Sequence, residues 1–295
     1  DMSALVEVTS SLPLANLEYW ERLIRWEYYS HVTPNSAAFL TWIDLCSSDG
    51  YRREKTLRAL TGPAPNSFFF AIALRRLNDW VPKVRKAARE KLPLLAQASS
   101  PTQVVDVLFP TLSHWSSWGR VEEADKQVFF SIIADEDIAE VIKSRLISSP
   151  VGALTLILAQ VGRISALDGH LGDIAKHAIQ PALRAKAYRS LLEGKMAWFE
   201  GRTPEWIDKR YGVRRMRPVL AERTLSVASP FLETLKMAGL DKSPIVRRVA
   251  AEMLIRERAN LGEKVAYELA NLFIADPSPS VVERGLFVLK KLAGS

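Results

Sequence analysis

Cysteine, histidine, glycine-rich stretches and long apolar runs are all scarce in this chain of 295 residues, and each scarcity excludes something. The single cysteine, Cys46, rules out an intramolecular disulfide framework and fits a reducing compartment. It sits in the apolar run WIDLCSS, where it reads as a small core residue rather than a reactive thiolate. The longest apolar stretch, around 151–161, is too short and too glycine-flanked to cross a bilayer. The opening DMSALVEV has no basic-then-apolar layout of a secretory leader, so the expectation is a soluble, cytoplasmic protein without membrane contact. No Gly-rich loop of the mononucleotide or dinucleotide type is present. Among the four histidines, only HLGDIAKH brings two near a carboxylate, His170 and His177 around Asp173. Gly172 and the wide spacing make these surface polar residues rather than metal ligands. No metal, no cofactor and no small-molecule substrate is expected.

What is abundant is positive charge and helical periodicity. The formal net charge is +7, which favours an acidic protein or nucleic acid as partner. The excess is local. Residues 75–91 carry seven Lys/Arg against Asp79 and Glu90, and residues 198–223 carry seven against Glu200, Glu205, Asp208 and Glu222. Strand signals are few, and apolar residues recur at helical spacing through most of the chain.

The helices repeat. DWVPKVRKAAREKL from Asp79, DKSPIVRRVAAEML from Asp241 and DPSPSVVERGLFVL from Asp276 share one frame. Pro falls three after Asp, Val five after, a small residue nine after and Leu thirteen after. AIQPALRAKAYRSL from Ala178 keeps all but the Asp, with Leu for Val. The frame makes physical sense. The Asp carboxylate turns the chain by accepting backbone N–H bonds. Ser243 and Ser278 then serve as N-caps, with Pro244 and Pro279 at the first helical position, where a missing N–H costs nothing. Val246, Ala250 and Leu254 follow as one stripe, the central small residue letting a neighbouring helix approach. Asp241 and Asp276 are 35 apart, and Asp79 and Ala178 are 99 apart, three periods of about 33 residues. GYRREKTLRAL near Asp49 fits one period earlier, and Asp208 with Val213 and Arg214 would head a further degenerate copy. Residues 112–160 should hold two more units by spacing alone.

On Asp79-Pro82-Val84-Arg85, Asp241-Pro244-Val246-Arg247 and Asp276-Pro279-Val281, the chain resembles the HEAT-repeat family. The motif matches cover about half of it and spacing the rest. The resemblance implies an all-α fold, a right-handed α-solenoid of eight or nine stacked antiparallel helix pairs whose second helices line the concave side. On that reading residues 1–295 form a single domain, with capping helices at 1–45 carrying Tyr19, Trp20, Trp26, Tyr28 and Tyr29. Degenerate repeats fill 46–295, clearest at 66–95, 165–193, 229–258 and 262–293. It also implies that Arg85, Arg184 and Arg247 pair with the Asp of an adjacent turn. With no polar cap after the last unit, a fragment of a longer stack is one expectation.

The functional expectation is a non-enzymatic binding scaffold with basic stretches at 83–91, 184–189, 209–217 and 247–258 on its concave face. Its contact residues would be Lys83, Lys86, Arg89, Lys209, Arg210, Arg214, Arg215, Arg217 and Arg223, with Trp206 and Tyr211 as stacking surfaces beside Trp198. Gly201, Pro204 and Gly212 predict a long connection or loop insertion there rather than helix. The alternative is a DNA glycosylase. Alkylpurine glycosylases built of HEAT-like repeats use tryptophans and one catalytic Asp, and Asp208 beside Trp206 is the candidate for stabilising a cationic sugar. A di-iron hydroxylase of the same architecture would need His-Glu steps, and the sequence contains none. A structural subunit of a larger assembly is the third expectation.

Overall fold

The computed structural model describes residues 2–31 and 41–294. The chain is mostly helical. Its helices are α1 (Met2–Ser10), α2 (Leu17–His31), α3 (Gly50–Ala59), α4 (Ser67–Arg75), α5 (Pro82–Ala98), α6 (Pro101–His114), α7 (Glu123–Ile133) and α8 (Glu136–Ser148). They continue with α9 (Leu154–Val161), α10 (Leu171–His177), α11 (Pro181–Glu193), α12 (Phe231–Gly239), α13 (Pro244–Leu261), α14 (Glu263–Ile274) and α15 (Pro279–Ala293). Between α11 and α12 the chain leaves the helical pattern for two antiparallel strands, β1 (Lys195–Asp208) and β2 (Val213–Thr224). Two compact units divide the chain at residues 142 and 143, inside α8.

In the second unit α10 packs on α11, α12 on α13 and α14 on α15, while α13 touches both α11 and α15. The sequence frame explains the contacts. Val246, Ala250 and Leu254 are fully buried, as are Val84, Ala88 and Leu92 of α5. Gly285 of α15 shows why the central position must be small: a Cβ there would lie 3.0 Å from the Ala270 carbonyl oxygen and the Ile274 nitrogen of α14. The turns form as the frame requires. Asp79, Asp241 and Asp276 each accept a hydrogen bond from the N–H two residues on, at 2.9, 2.7 and 2.8 Å. Ser243 and Ser278 are N-caps with Pro at the first turn, although only Ser243 accepts a side-chain cap bond.

The arginine six residues after each turn ties its helix to a later turn within the same compact unit. Arg184 donates Nη1 to the Ala178 carbonyl at 2.9 Å, and Nε and Nη2 to both oxygens of Asp241 at 2.8 Å. Arg247 repeats the pattern onto the Asp241 carbonyl and the Asp276 carboxylate. Arg53 does the same in the first unit, from the Ser47 carbonyl to Asp79. The frame of that unit is therefore headed by Ser47 rather than Asp49, which caps α3. Arg85 departs from the expectation. It holds the Asp79 carbonyl but reaches Glu122, while Arg89, one turn on, takes Asp125. The fork of guanidinium donors matches a carboxylate bidentately, so each pair fixes direction as well as proximity. Burial pushes the carboxyls of Asp79 and Asp241 up, but the arginine and backbone N–H bonds outweigh it and hold both below the ordinary value.

Cys46 is buried, and that burial pushes its thiol up to about 12, which makes it an inert core residue. Trp26 and Tyr19 of the N-terminal aromatic stretch are exposed, while the side chains of Tyr28 and Tyr29 lie outside the described residues. No described helix is long and apolar enough to cross a membrane.

Candidate interaction hairpin

Two of the sequence expectations for residues 198–223 are corrected here. The segment is a β-hairpin rather than a loop insertion, and Asp208 heads no helix pair. Asp208 ends β1. Its Oδ1 accepts the N–H groups of Arg210 and Tyr211 at 2.8 and 3.3 Å, and Gly212 completes the turn with φ +67°. Gly201 falls at a register shift after Phe199, and Pro204 and Pro218 are accommodated because each strand of a two-stranded ribbon has an open edge where a missing N–H is tolerated.

A lone hairpin is marginal in water, and this one is anchored at its base. Met196 is fully buried against Gly162, where a Cβ would sit 2.6 Å from the Met196 Cγ. Lys186 of α11 donates to the Ala197 carbonyl at 3.0 Å. Arg223 is the main clamp: it donates to both oxygens of Asp168, at 2.6 and 2.8 Å, and to the carbonyls of Gly162 and Ile164. Asp168 also accepts the N–H and hydroxyl of Ser226. Burial raises the Asp168 carboxyl, yet these donors hold it below its ordinary value. Arg223 therefore fastens the hairpin, and is spent on that.

Beyond the base the ribbon is exposed along both strands. Directly paired residues share a face and successive residues alternate. Leu220, Pro218, Met216 and Arg214 thus form one face of β2, and their partners Phe199, Arg202, Pro204 and Trp206 complete it. Arg214 lies over the Trp206 ring at 4.1 Å from its centroid, as a directly paired couple should. This face is apolar, with Phe199, Leu220 and Met216 in solvent and Leu220 66% exposed. The other face carries Arg215 and Arg217 with exposed Val213 and Val219; Glu205 bonds Arg215 at 2.7 Å and lies 3.8 Å from Arg217, one carboxylate for two guanidiniums. Lys209, Arg210 and Tyr211, the last 82% exposed, form the tip. The side chains of Arg202, Lys209 and Arg210 pair with no described residue.

The helical basic stretches differ. Arg89 is bound to Asp125 and Glu122, Arg189 to Glu252, Arg256 to Glu193, and Arg184 and Arg247 to their turn aspartates. Lys83 lies 5.9 Å from the Tyr51 ring centroid. Lys83, Lys86 and Arg89 belong to the first unit and the hairpin to the second. Lys86 pairs with no described residue, so the first unit keeps free basic side chains as the hairpin does. Among the described residues, no group of three or more His, Cys, Asp or Glu is arranged to hold a metal ion. No family model, no curated protein and no solved structure matches the chain.

Proposed function

We propose that the chain is a non-enzymatic binding scaffold, a HEAT-like α-solenoid that presents residues 195–224 as an arm to an acidic protein. The helix-to-helix contacts of α11, α13 and α15 and the Arg–Asp ties at repeat spacing support the solenoid reading. The observation that carries the function is the composition of the arm's outer face: Phe199, Trp206, Met216 and Leu220 in solvent, bordered by Arg202 and Arg214. A contiguous apolar surface rimmed by charge marks a protein contact. Aromatic residues, Met and Arg are also the types enriched where protein interfaces bury their centre. Nucleic acid would draw on dense free cations, whereas Arg215 and Arg223 are already held by carboxylates. Asp208 serves the turn, and that geometry gives the glycosylase alternative no support.

The test is fluorescence anisotropy with two labelled probes, an acidic peptide alternating Glu and Leu, and a single-stranded oligothymidine. The peptide should bind the chain, weaken only moderately with salt, and lose most of its affinity in Leu220→Asp. Tighter binding of the oligonucleotide, with a steep salt slope, would assign the arm to nucleic acid instead.

A further inference from the structure

The first unit contains a cleft of about 500 Å³ whose wall is dominated by arginine. Glu18, Glu21, Arg22 and Arg25 line it from α2, at i, i+3, i+4 and i+7, one face of that helix. Arg53 of α3, Arg75 and Arg76 at the end of α4, and the turn Asp79-Trp80-Val81 complete the wall. The charges do not balance. Buried Glu21 serves three guanidiniums, Arg76 at 2.6 Å, Arg25 at 2.8 Å and Arg75 at 3.1 Å. Asp79, also buried, serves Arg53 and Arg76. Glu18 touches Arg75 at 3.3 Å but stands in solvent, and Arg22 pairs with no described residue. Five arginines therefore face three carboxylates. Arg25 and Arg75 spend only Nε and Nη2 on the contacts described, leaving Nη1 of each uncommitted.

We infer that this cleft binds a small molecule carrying a phosphate monoester. The surplus of two positive charges in a recess with a buried ionic floor matches a dianion better than a monoanion. Forked guanidinium donors suit the several oxygens of a phosphate. The volume lies within the range of small-ligand sites, so the ester's organic part has room beside the Trp80 ring. Arg22, Arg25 and Arg75 would hold the phosphate, while Arg53 and Arg76, tied to Asp79 and Glu21, maintain the floor.

Titration calorimetry of the full chain at constant ionic strength tests this, with inorganic phosphate, glycerol 3-phosphate and acetate as probes. Both phosphates should bind saturably and at least tenfold more tightly than acetate. Arg22→Gln should weaken them about tenfold while leaving the unliganded melting temperature unchanged, since its side chain holds nothing else in the fold. Arg210→Gln on the hairpin should bind as the parent does, which separates this site from the arm. Equal affinity for acetate would overturn the dianion assignment. No saturable binding of either phosphate, or undiminished binding by Arg22→Gln, would remove the site.

Discussion

The helical part of the second unit and the hairpin that interrupts it use the same residue types for opposite ends. In α11 and α13 the arginines are turned into structure: Arg184 is almost wholly buried and saturated by Asp241, the Ala178 carbonyl and the Ile179 carbonyl. In the hairpin, Arg202, Lys209 and Arg210 stand in solvent without a partner and Arg214 has only the Trp206 ring. A guanidinium's environment, not its presence, thus decides whether it holds a fold together or waits for something outside. Arg223 marks the border, since it belongs to the hairpin in sequence and to the body in its contacts.

Substitutions on the helical side should register first in stability. Asp241→Ala leaves Arg184 buried with its charge uncompensated, which costs about 3–5 kcal/mol. Denaturant unfolding followed by circular dichroism should show this as the largest loss of the series, and a loss under about 1 kcal/mol would deny the tie its structural role. Ala250→Trp, which overpacks the stripe beside Gly239, should cost about 1–3 kcal/mol or more. A parent-like melting temperature for that variant would remove the stripe assignment. Arg223→Ala should cost about 1.5–3 kcal/mol through lost charged hydrogen bonds, and should also speed amide exchange along 195–224. Unchanged exchange there would mean that the clamp does not hold the arm.

Acid should weaken the carboxylate ties of helices and hairpin alike. Asp79, Asp168, Asp241 and Asp276 all titrate below the ordinary 3.8. For Asp276 the Arg247 bond is the chief cause, whereas in the other three the donors outweigh a burial that acts upward. A depressed carboxyl contributes its stability fully above the unfolded value and loses it as pH falls through the folded one. The melting temperature should therefore hold steady down to about pH 4 and fall below it. A flat profile to pH 2 would show that these pairs contribute nothing net.

Much of the helical frame was legible because its signals are local. Asp-x-x-Pro turns and the Val-Ala-Leu stripe are each set by short-range geometry, and Arg184 and Arg247 reach turn aspartates as the resemblance implied. Arg85 missed because α7 places its own capping pair, Glu122 and Asp125, where a turn aspartate was expected. The hairpin was illegible for a different reason. Its glycines and prolines read as breakers, and its apolar residues stand on both faces of the ribbon, so no alternation marks the strands until the register pairs Phe199 with Leu220 and Trp206 with Arg214. Nor did any run of sequence announce the cleft of the first unit, because α2 and the 75–81 turn are brought together only by folding.

The arm can be removed without touching its clamp. Ala197 and Glu222 are directly paired, so an Asn-Gly turn joining them would delete residues 198–221 while keeping Met196, Arg223 and the Lys186 bond. Affinity of that shortened chain for the Glu/Leu peptide is the measurement closest to the central claim. The account predicts a melting temperature within a few degrees of the parent and at least a tenfold loss of binding. Binding within twofold of the parent, on a chain equally well folded, would contradict it and place the contact on the helices.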